Sequence, residues 1–248
     1  MKTILTNQHN FRDIGGLETE DGWQIKPGML FRSGDFFTLT DSDILTLENL
    51  KLKTIIDFRA QREVDKRPDK PVSTVKELIH LDIHDAARDR AERFLENNDA
   101  KGLETVLIGD YLRMVDIHQA DFRKFLEILA TTDNLPLVYH CAAGKDRTGM
   151  ATVFLLKALG VGLPVIWDDY LATNLYNKEY SEKIVRKVTA MGSNGEILRP
   201  LLEVRREYLQ AALDRIEEQY GGLHHFVMGI LGADVKRLRE KYLFKPSQ

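Results

Sequence analysis

Residues 140–149 read His-Cys-Ala-Ala-Gly-Lys-Asp-Arg-Thr-Gly and hold the only cysteine of the chain, Cys141, which five residues separate from Arg147. The apolar run at 135–139 predicts a strand and the run at 150–159 predicts a helix, so Cys141 falls at a strand end just before a helix N-terminus. Helix N-termini and nearby cations lower a cysteine pKa to about 3.5–7.5 and so favour the nucleophilic thiolate. A thiolate held beside an arginine is suited to attack on a phosphate ester, and we predict that chemistry here.

The short loop after the cysteine predicts a phosphate-binding cradle. When such a loop curls, its backbone N–H groups point inward and bind an anion, and small side chains leave those groups unobstructed. Arg147 then binds two phosphate oxygens through its planar fork, which a lysine does not reproduce. The residues predicted to bind phosphate are Ala142, Ala143, Gly144, Lys145, Asp146 and Arg147.

Two flanking residues are predicted to support the cysteine. The Thr148 hydroxyl is expected within reach of the sulfur, where it would stabilise the thiolate that departs from a phosphocysteine. His140 is expected to order the loop by hydrogen bonding as a neutral imidazole, without taking the proton of Cys141.

Other interpretations of these residues conflict with their spacing. A Walker nucleotide loop requires Gly-x-x-x-x-Gly-Lys-Ser/Thr, whereas Tyr139 stands at the first glycine position and Asp146 follows Lys145. A metal site is not predicted, since a lone cysteine and scattered histidines offer no ligand spacing, and no cofactor is expected. An inert buried cysteine would leave the polar residues 145–148 behind it unexplained.

Composition limits the classes of partner. The 248 residues carry a formal net charge of −3, with 43% apolar and 29% charged side chains. That charge argues against broad binding to nucleic acid but permits a local basic pocket. A single cysteine fits a reducing compartment, the first residues lack a signal-peptide core, and no apolar run approaches the roughly 20 residues of a membrane span. We expect a cytoplasmic protein with no integral membrane segment, and secretion by a signal-independent route stays open.

Strand signals concentrate before residue 140 and helix signals after it. The short β-rich run at 54–58 predicts a buried strand, the run at 78–83 predicts another strand, and Thr40 with Asp43 predicts the capped start of a helix. Further helices are predicted at 85–97, 102–115, 120–130, 150–159, 164–176, 178–190, 196–219, 222–231 and 234–243. The expected fold class is α/β in a single domain, 1–248, with a small, largely parallel sheet flanked by helices and a helix-rich C-terminal half.

Two features leave alternatives open. The helix predicted at 85–97 is charged on most faces, so it is either a solvent-covered connection or, with the rest of 85–117, a mobile lid. Arg12 and Arg32 each stand between an aromatic and a polar residue, and they either brace surface turns or lie near the site.

The loop resembles the signature of the protein tyrosine phosphatase superfamily, and most closely that of its bacterial and fungal branch with dual or lipid activity. The chain matches other motifs of that branch along nearly its whole length. The matches are Asn-Phe-Arg-Asp-x-Gly-Gly at 10–16, Leu-Phe-Arg-Ser at 30–33, Asp57-Phe58-Arg59 followed by Glu63, Asp-Tyr-Leu-x-x-Asn at 169–174 and Glu-Tyr-Leu-x-Ala-Ala at 207–212. The resemblance implies a cysteine-dependent phosphatase fold and supporting roles for Arg12, Asp57 and Arg59.

The resemblance also implies metal-independent hydrolysis of phosphoric monoesters in two steps. Cys141 attacks phosphorus, Arg147 and the loop amides stabilise the phosphoryl oxygens, and an acid protonates the leaving phenolate. Water then cleaves the phosphocysteine and releases inorganic phosphate.

The acid is open between two regions of the chain. The Trp-Pro-Asp tripeptide that marks it in many tyrosine phosphatases does not occur here. The loop after the 78–83 strand offers Asp82 and Asp85, of which Asp85 is preferred. Asp146 is the second candidate, although the two cations beside it would lower its pKa and hinder its protonation.

The substrate class is also open. Phosphotyrosine in a protein or peptide ranks first. Lys145 adds a second cation to the loop, as in phosphoinositide phosphatases, so phosphoinositides or dual specificity form the alternative. A catalytically silent phosphate-binding module is the alternative of another class, and a sulfur-transfer enzyme fits the spacing of Cys141 and Arg147 less well.

Overall fold

The computed structural model describes residue 5, residues 8–84 and residues 86–246. Its strands are β1 (Arg12–Asp13), β2 (Gln24–Ile25), β3 (Leu30–Ser33), β4 (Thr54–Asp57), β5 (Glu77–His80), β6 (Leu137–His140) and β7 (Leu243–Phe244). One sheet has the strand order β1-β3-β6-β4-β5. Neighbouring strands in this sheet run parallel, except that the edge strand β1 is antiparallel to β3. Strands β2 and β7 form a separate antiparallel pair. The predicted small, largely parallel sheet is confirmed.

The central strands end together at one edge of the sheet. Ser33 of β3 and Asp57 of β4 both stand opposite His140 of β6. The carboxyl ends of parallel strands form the usual binding edge of an α/β sheet, and the segments that follow these three residues meet there. All three strands are buried along their length, which is why they are continuous β-rich runs in the sequence.

The helices agree with most of the sequence expectations, and α1 begins with the predicted capping box between Thr40 and Asp43. They are α1 (Asp41–Asn49), α2 (Gln61–Lys66), α3 (Ala86–Glu96), α4 (Ala100–Asp116), α5 (Gln119–Thr131), α6 (Asp146–Leu159), α7 (Leu163–Tyr176), α8 (Lys178–Ala190), α9 (Arg199–Leu202), α10 (Arg206–Tyr220), α11 (Leu223–His225) and α12 (Val235–Tyr242). A 3₁₀ turn at Gly195–Leu198 precedes α9, and a π turn at Phe226–Ile230 follows α11.

The single helix predicted at 196–219 is wrong, because residues 203–205 interrupt it. Asn174 of α7 binds both backbone groups of Val204: its Oδ1 accepts from the N–H at 2.8 Å, and its Nδ2 donates to the carbonyl at 2.8 Å. Val204 is buried, so a side-chain amide satisfies the backbone groups that a helix would otherwise pair.

Apolar side chains pack on both faces of the sheet. Along β6, Leu137 and Tyr139 face the larger cluster, and Val138 faces the smaller one with Leu47 of α1. Helix α6 is buried on almost every side, as expected of a helix that is apolar all round. The loop between β6 and α6 is therefore held by a buried strand and a buried helix.

The charged helix α3 packs against α4. The Phe94 ring lies over Gly102, in space that a Cβ would need. This contact fits a connecting helix, and a lid motion of residues 85–117 stays a prediction. Within the described ranges, no helix is both long and apolar enough to cross a membrane.

Candidate active site

The predicted phosphate loop connects β6 to α6 and begins at Cys141, a free thiol that is 3% exposed. Gly144 in this loop has a φ of +64°, and a Cβ built there would lie 2.3 Å from the Ser33 carbonyl oxygen. The loop bends tightly against β3 at this point, so the position requires glycine.

The carbonyl groups of residues 142–144 all accept hydrogen bonds from outside the loop. The bonds are Asp35 N–H to Ala142 O (3.1 Å), Asn10 Nδ2 to Ala143 O (3.0 Å), Asn177 Nδ2 to Ala143 O (3.1 Å), Asn10 Nδ2 to Gly144 O (2.6 Å) and Arg32 Nη2 to Gly144 O (2.9 Å). In a trans peptide the carbonyl of one residue and the N–H of the next point in opposite directions, so the N–H groups of residues 143–145 turn inward. With the N-terminus of α6 they form a set of donors, here called the cradle, whose binding of phosphate stays a prediction.

Replacing Gly144 with alanine is expected to distort this cradle. A side chain at positive φ costs about 1–2 kcal/mol, and the added methyl would also force the Ser33 carbonyl away. We expect kcat/KM for a phosphate ester to fall at least about 100-fold, since a shift near 1 Å in a site costs that much. Gly192→Ala is the matched control, because Gly192 has a φ of +85° and no described atom within 4 Å of its Cβ position. Equal activity in the two variants would contradict the requirement for glycine in the loop.

A buried carboxylate fixes the Arg147 guanidinium. Arg147 Nη1 lies 2.6 Å from Glu63 Oε2, and Nη2 lies 3.0 Å from Glu63 Oε1. Glu63 also accepts from the Ala60 N–H at 2.9 Å, at the start of α2. Both side chains of the pair are less than a tenth exposed, so the planar fork is held in one orientation. The sequence placed Glu63 in a family motif but gave it no role.

Lys145 and Asp146 bind one another at the end of the loop, with Nζ 2.7 Å from Oδ2. Tyr111 of α4 donates to Asp146 Oδ1 at 2.9 Å. The sequence missed Tyr111, because an aromatic at helical spacing predicts only a core position. The Thr148 hydroxyl is buried and has no hydrogen-bond partner within the described part of the chain, and its reach to the sulfur stays a prediction.

His140 lies in a buried network of charges behind the loop. Its Nε2 is 3.0 Å from Asp69 Oδ2, and its Nδ1 is 3.2 Å from the Cys141 carbonyl oxygen. Burial alone would lower the His140 pKa, but Asp57 and Asp69 outweigh that effect and raise it to about 9. The predicted neutral imidazole is therefore wrong, because two carboxylates from other segments face the ring and favour its charged form.

Asp57, Asp69 and His140 lie close enough together to be considered as metal ligands. Arg59, however, already occupies the place of a cation: its Nη2 is 2.6 Å from Asp57 Oδ2 and 3.0 Å from Asp69 Oδ1. We interpret the cluster as an ion network that holds the ends of β4 and β6.

The charged His140 is expected to make stability depend on pH. Its folded pKa of about 9 lies above the ordinary value of 6.5, so its contribution is fully present below pH 6.5 and is lost as the pH rises through 9. We expect the free energy of unfolding, from denaturant titrations, to fall by about 3 kcal/mol across that window. His140→Asn should remove most of this dependence. The same fall in the variant would assign it to another group.

Arg12 and Arg32 are buried, so the surface interpretation of these arginines is wrong. Arg12 Nε lies 3.1 Å from Asp169 Oδ1, and Arg32 Nη1 lies 2.5 Å from Asp169 Oδ2. Burial alone would raise the Asp169 pKa, but the two guanidinium groups outweigh it and lower that pKa. Arg32 also binds the loop, and Arg12 bonds to Asn10, which binds the loop as well. The two arginines therefore brace the cradle from behind.

The two candidate regions for the acid differ in what the structure describes. Asp85 lies outside the described residues, so its proposed role stays a prediction. Asp82 is exposed, and its Oδ2 lies 3.5 Å from the backbone nitrogen of Gln61. Asp146 is part of the loop, and its side chain is 26% exposed.

The chain is similar to known phosphatases along nearly its whole length. The sequence model of the tyrosine phosphatase family matches residues 4–244. The triple specificity protein phosphatase PtpB of Mycobacterium tuberculosis is 30% identical over an alignment 277 residues long, gaps included. This alignment covers 95% of this chain and 96% of that protein. A candidate tyrosine-protein phosphatase of Cupriavidus necator is 29% identical over 237 residues, which cover 94% of this chain and 85% of that protein. Among solved structures, the catalytic domain of the PP-IP phosphatase SIW14 from S. cerevisiae is 16% identical with a TM-score of 0.46, covering 96% of this chain and 94% of that one.

Proposed function

The chain belongs to the tyrosine phosphatase family, and on that premise we propose that it hydrolyses phosphotyrosine and other aryl phosphate esters through a phosphocysteine intermediate. The observation that carries the proposal is the outward hydrogen bonding of the loop carbonyls, which turns the N–H groups between Cys141 and Arg147 inward. Cys141 is only 3% exposed, so the phosphate must enter below the surface, and an aryl ester reaches that depth better than a short serine ester.

The first step transfers the phosphoryl group to sulfur. The Cys141 thiolate forms a bond to phosphorus while the bond from phosphorus to the ester oxygen breaks, and a carboxylic acid donates a proton to that oxygen. Glu63 binds the end of the Arg147 fork, so we expect the Nε side of the fork to face two phosphoryl oxygens. The fixed guanidinium and the loop amides stabilise the charge that develops on these oxygens.

The second step returns the thiolate. A water molecule attacks phosphorus and gives a proton to the carboxylate, the S–P bond breaks, and inorganic phosphate leaves. The Thr148 hydroxyl, which is buried and has no partner within the described ranges, is suited to donate to the departing sulfur. A thiolate of this kind is prone to oxidation, which favours a reducing compartment such as the cytoplasm.

Phosphoinositides are the second candidate substrates. Lys145 is 4% exposed and is held against Asp146, so its ammonium group lies at the loop and can meet a further phosphate of a lipid head group. The relative PtpB is named for triple specificity, which supports a broader substrate range.

A direct test compares a phosphotyrosine peptide, a phosphoserine peptide and phosphoinositide vesicles, each with EDTA present and with the Cys141→Ser variant as blank. We expect the phosphotyrosine peptide to be hydrolysed fastest and EDTA to have no effect. Faster hydrolysis of the vesicles would favour the second candidate. Release of phosphate that requires a metal ion, or none above the blank, would contradict the proposed function.

A further inference from the structure

A chain of buried hydroxyl groups leads away from Asp146. Tyr111 of α4 donates to Asp146 Oδ1 at 2.9 Å, and its hydroxyl lies 2.8 Å from that of Tyr170 on α7. Tyr170 in turn lies 3.4 Å from the carbonyl oxygen of Arg205, just before α10. Both tyrosines are at most 1% exposed, so three separate elements meet in a dry hydrogen-bonded chain that ends on one carboxylate.

This chain fits both protonation states of Asp146. When Asp146 is ionised, Tyr111 donates to it, and Tyr170 donates to Tyr111 or to the Arg205 carbonyl. When Asp146 carries a proton on Oδ2, Oδ1 is a carbonyl oxygen that still accepts from Tyr111, and the Oδ2 proton is free to go to another acceptor. Because each hydroxyl has an acceptor in both arrangements, Asp146 gains or loses a proton without leaving a buried polar group unpaired.

Charged and polar groups face Asp146 from several elements. Lys145 faces it from the loop, the N-terminus of α6 lies beneath it, and Tyr111, Tyr170 and Tyr208 face it from the neighbouring helices. Burial and the Asp146 charge raise the Tyr111 pKa well above its usual range, so Tyr111 keeps its proton. A bound phosphate dianion would accept hydrogen bonds from Lys145 and the loop amides and would place negative charge beside the Asp146 carboxyl group.

We propose that Tyr111, backed by Tyr170, is a positioning residue that holds Asp146 as the proton donor for the leaving group. The proposal rests on the proposed phosphatase function and competes with the sequence preference for Asp85. Asp146 gives the proton on Oδ2 to the ester oxygen as the P–O bond breaks, while Tyr111 keeps donating to Oδ1 and fixes the direction of the carboxyl group. In the second step Oδ2 takes a proton from the attacking water, and the hydrogen bond from Tyr111 to Oδ1 is again retained.

The test compares two esters in the Tyr111→Phe variant. Phenyl phosphate needs a proton on its leaving group, whereas 2,4-dinitrophenyl phosphate loses a stable anion without one. The ratio kcat/KM reports the steps up to cleavage of the ester. We expect it to fall about 10- to 100-fold for phenyl phosphate, the range for a lost hydrogen bond to a charged group, and to stay within about twofold for the dinitrophenyl ester.

Tyr208→Phe is the matched control. It removes a buried hydroxyl from the same aromatic cluster, 5.8 Å from Tyr111 between ring centres, but that hydroxyl bonds to the Pro200 carbonyl. We expect both esters to be cleaved at the wild-type rate by this variant. Equal losses on both esters in Tyr111→Phe, or a selective loss in Tyr208→Phe as large as that in Tyr111→Phe, would overturn the positioning role.

Asp146→Asn tests the same proposal without disturbing the buried tyrosines. We expect it to lower kcat/KM for phenyl phosphate by roughly 10²–10⁴-fold, and Tyr111→Phe should then add no further loss. A selective loss in Asp85→Asn, with none in Asp146→Asn, would overturn the proposal and leave the phosphatase function intact. Wild-type protein that cleaves the dinitrophenyl ester no faster than Cys141→Ser would instead refute the proposed function.

Discussion

Replacing Cys141 with serine is expected to lower kcat on a phosphotyrosine peptide by roughly 10⁴-fold or more, as when a covalent nucleophile is removed. A serine hydroxyl ionises far less readily than a thiol, so the cradle would hold the ester without attacking it. The variant should retain binding of the peptide within a few-fold, because the loop amides and Arg147 are unchanged. Turnover by stopped assay and affinity by calorimetry give the two readouts.

The wild-type protein supplies the control for this experiment. Mixed rapidly with an excess of aryl phosphate, it should release a burst of phenol that does not exceed one equivalent per enzyme, whereas Cys141→Ser should release none. Retained turnover in the variant would refute the covalent mechanism. Loss of peptide binding along with turnover would contradict the intact cradle that we expect in the variant.

Replacing Arg147 with lysine is expected to lower kcat/KM by about 10²–10³-fold, the usual effect of removing a group that stabilises developing charge. Lysine keeps the charge but not the planar fork, so it cannot bind Glu63 through two parallel bonds and face two phosphoryl oxygens at once. The loss should be larger in kcat than in substrate affinity, because the oxygens gain charge in the transition state.

Arg215→Lys is the matched control for this change. Arg215 forms an ion pair with Asp116 at 2.5 Å, and both side chains are about one-third exposed. The same substitution there is expected to leave kcat/KM unchanged and to cost less than about 1 kcal/mol of stability. Full activity in Arg147→Lys would show that charge alone suffices at this position.

The fold was predictable where its signals are local. Residues 54–57 form a buried strand because their own side chains favour it, and the capping box of Thr40 and Asp43 lies within one helical turn. The interruption at 203–205 was not predictable, because the amide that replaces the helical bonds comes from Asn174, thirty residues away. A window of sequence carries no sign of such a partner.

The site divides in the same way. The loop at 140–149 is contiguous, so its cysteine, arginine and small residues can be read directly from the sequence. The charge of His140 depends on Asp57 and Asp69, which only the folding of the chain brings close to it. The hydrogen bond between Tyr111 and Asp146 joins two helices that are separated in the sequence. The spacing of residues along the chain does not reveal such contacts. For this reason a neutral His140 was predicted, and no role was predicted for Tyr111.

The outward carbonyls of the loop have a consequence for folding. Their donors include residues 10, 32, 35 and 177, so the cradle is complete only when segments that precede and that follow the loop in the sequence have docked. In a partly folded chain the cysteine would have no organised amides around it. We therefore expect such a chain to be inactive toward phosphate esters. Recovery of activity during refolding should therefore follow the last docking event and lag behind the recovery of helical structure.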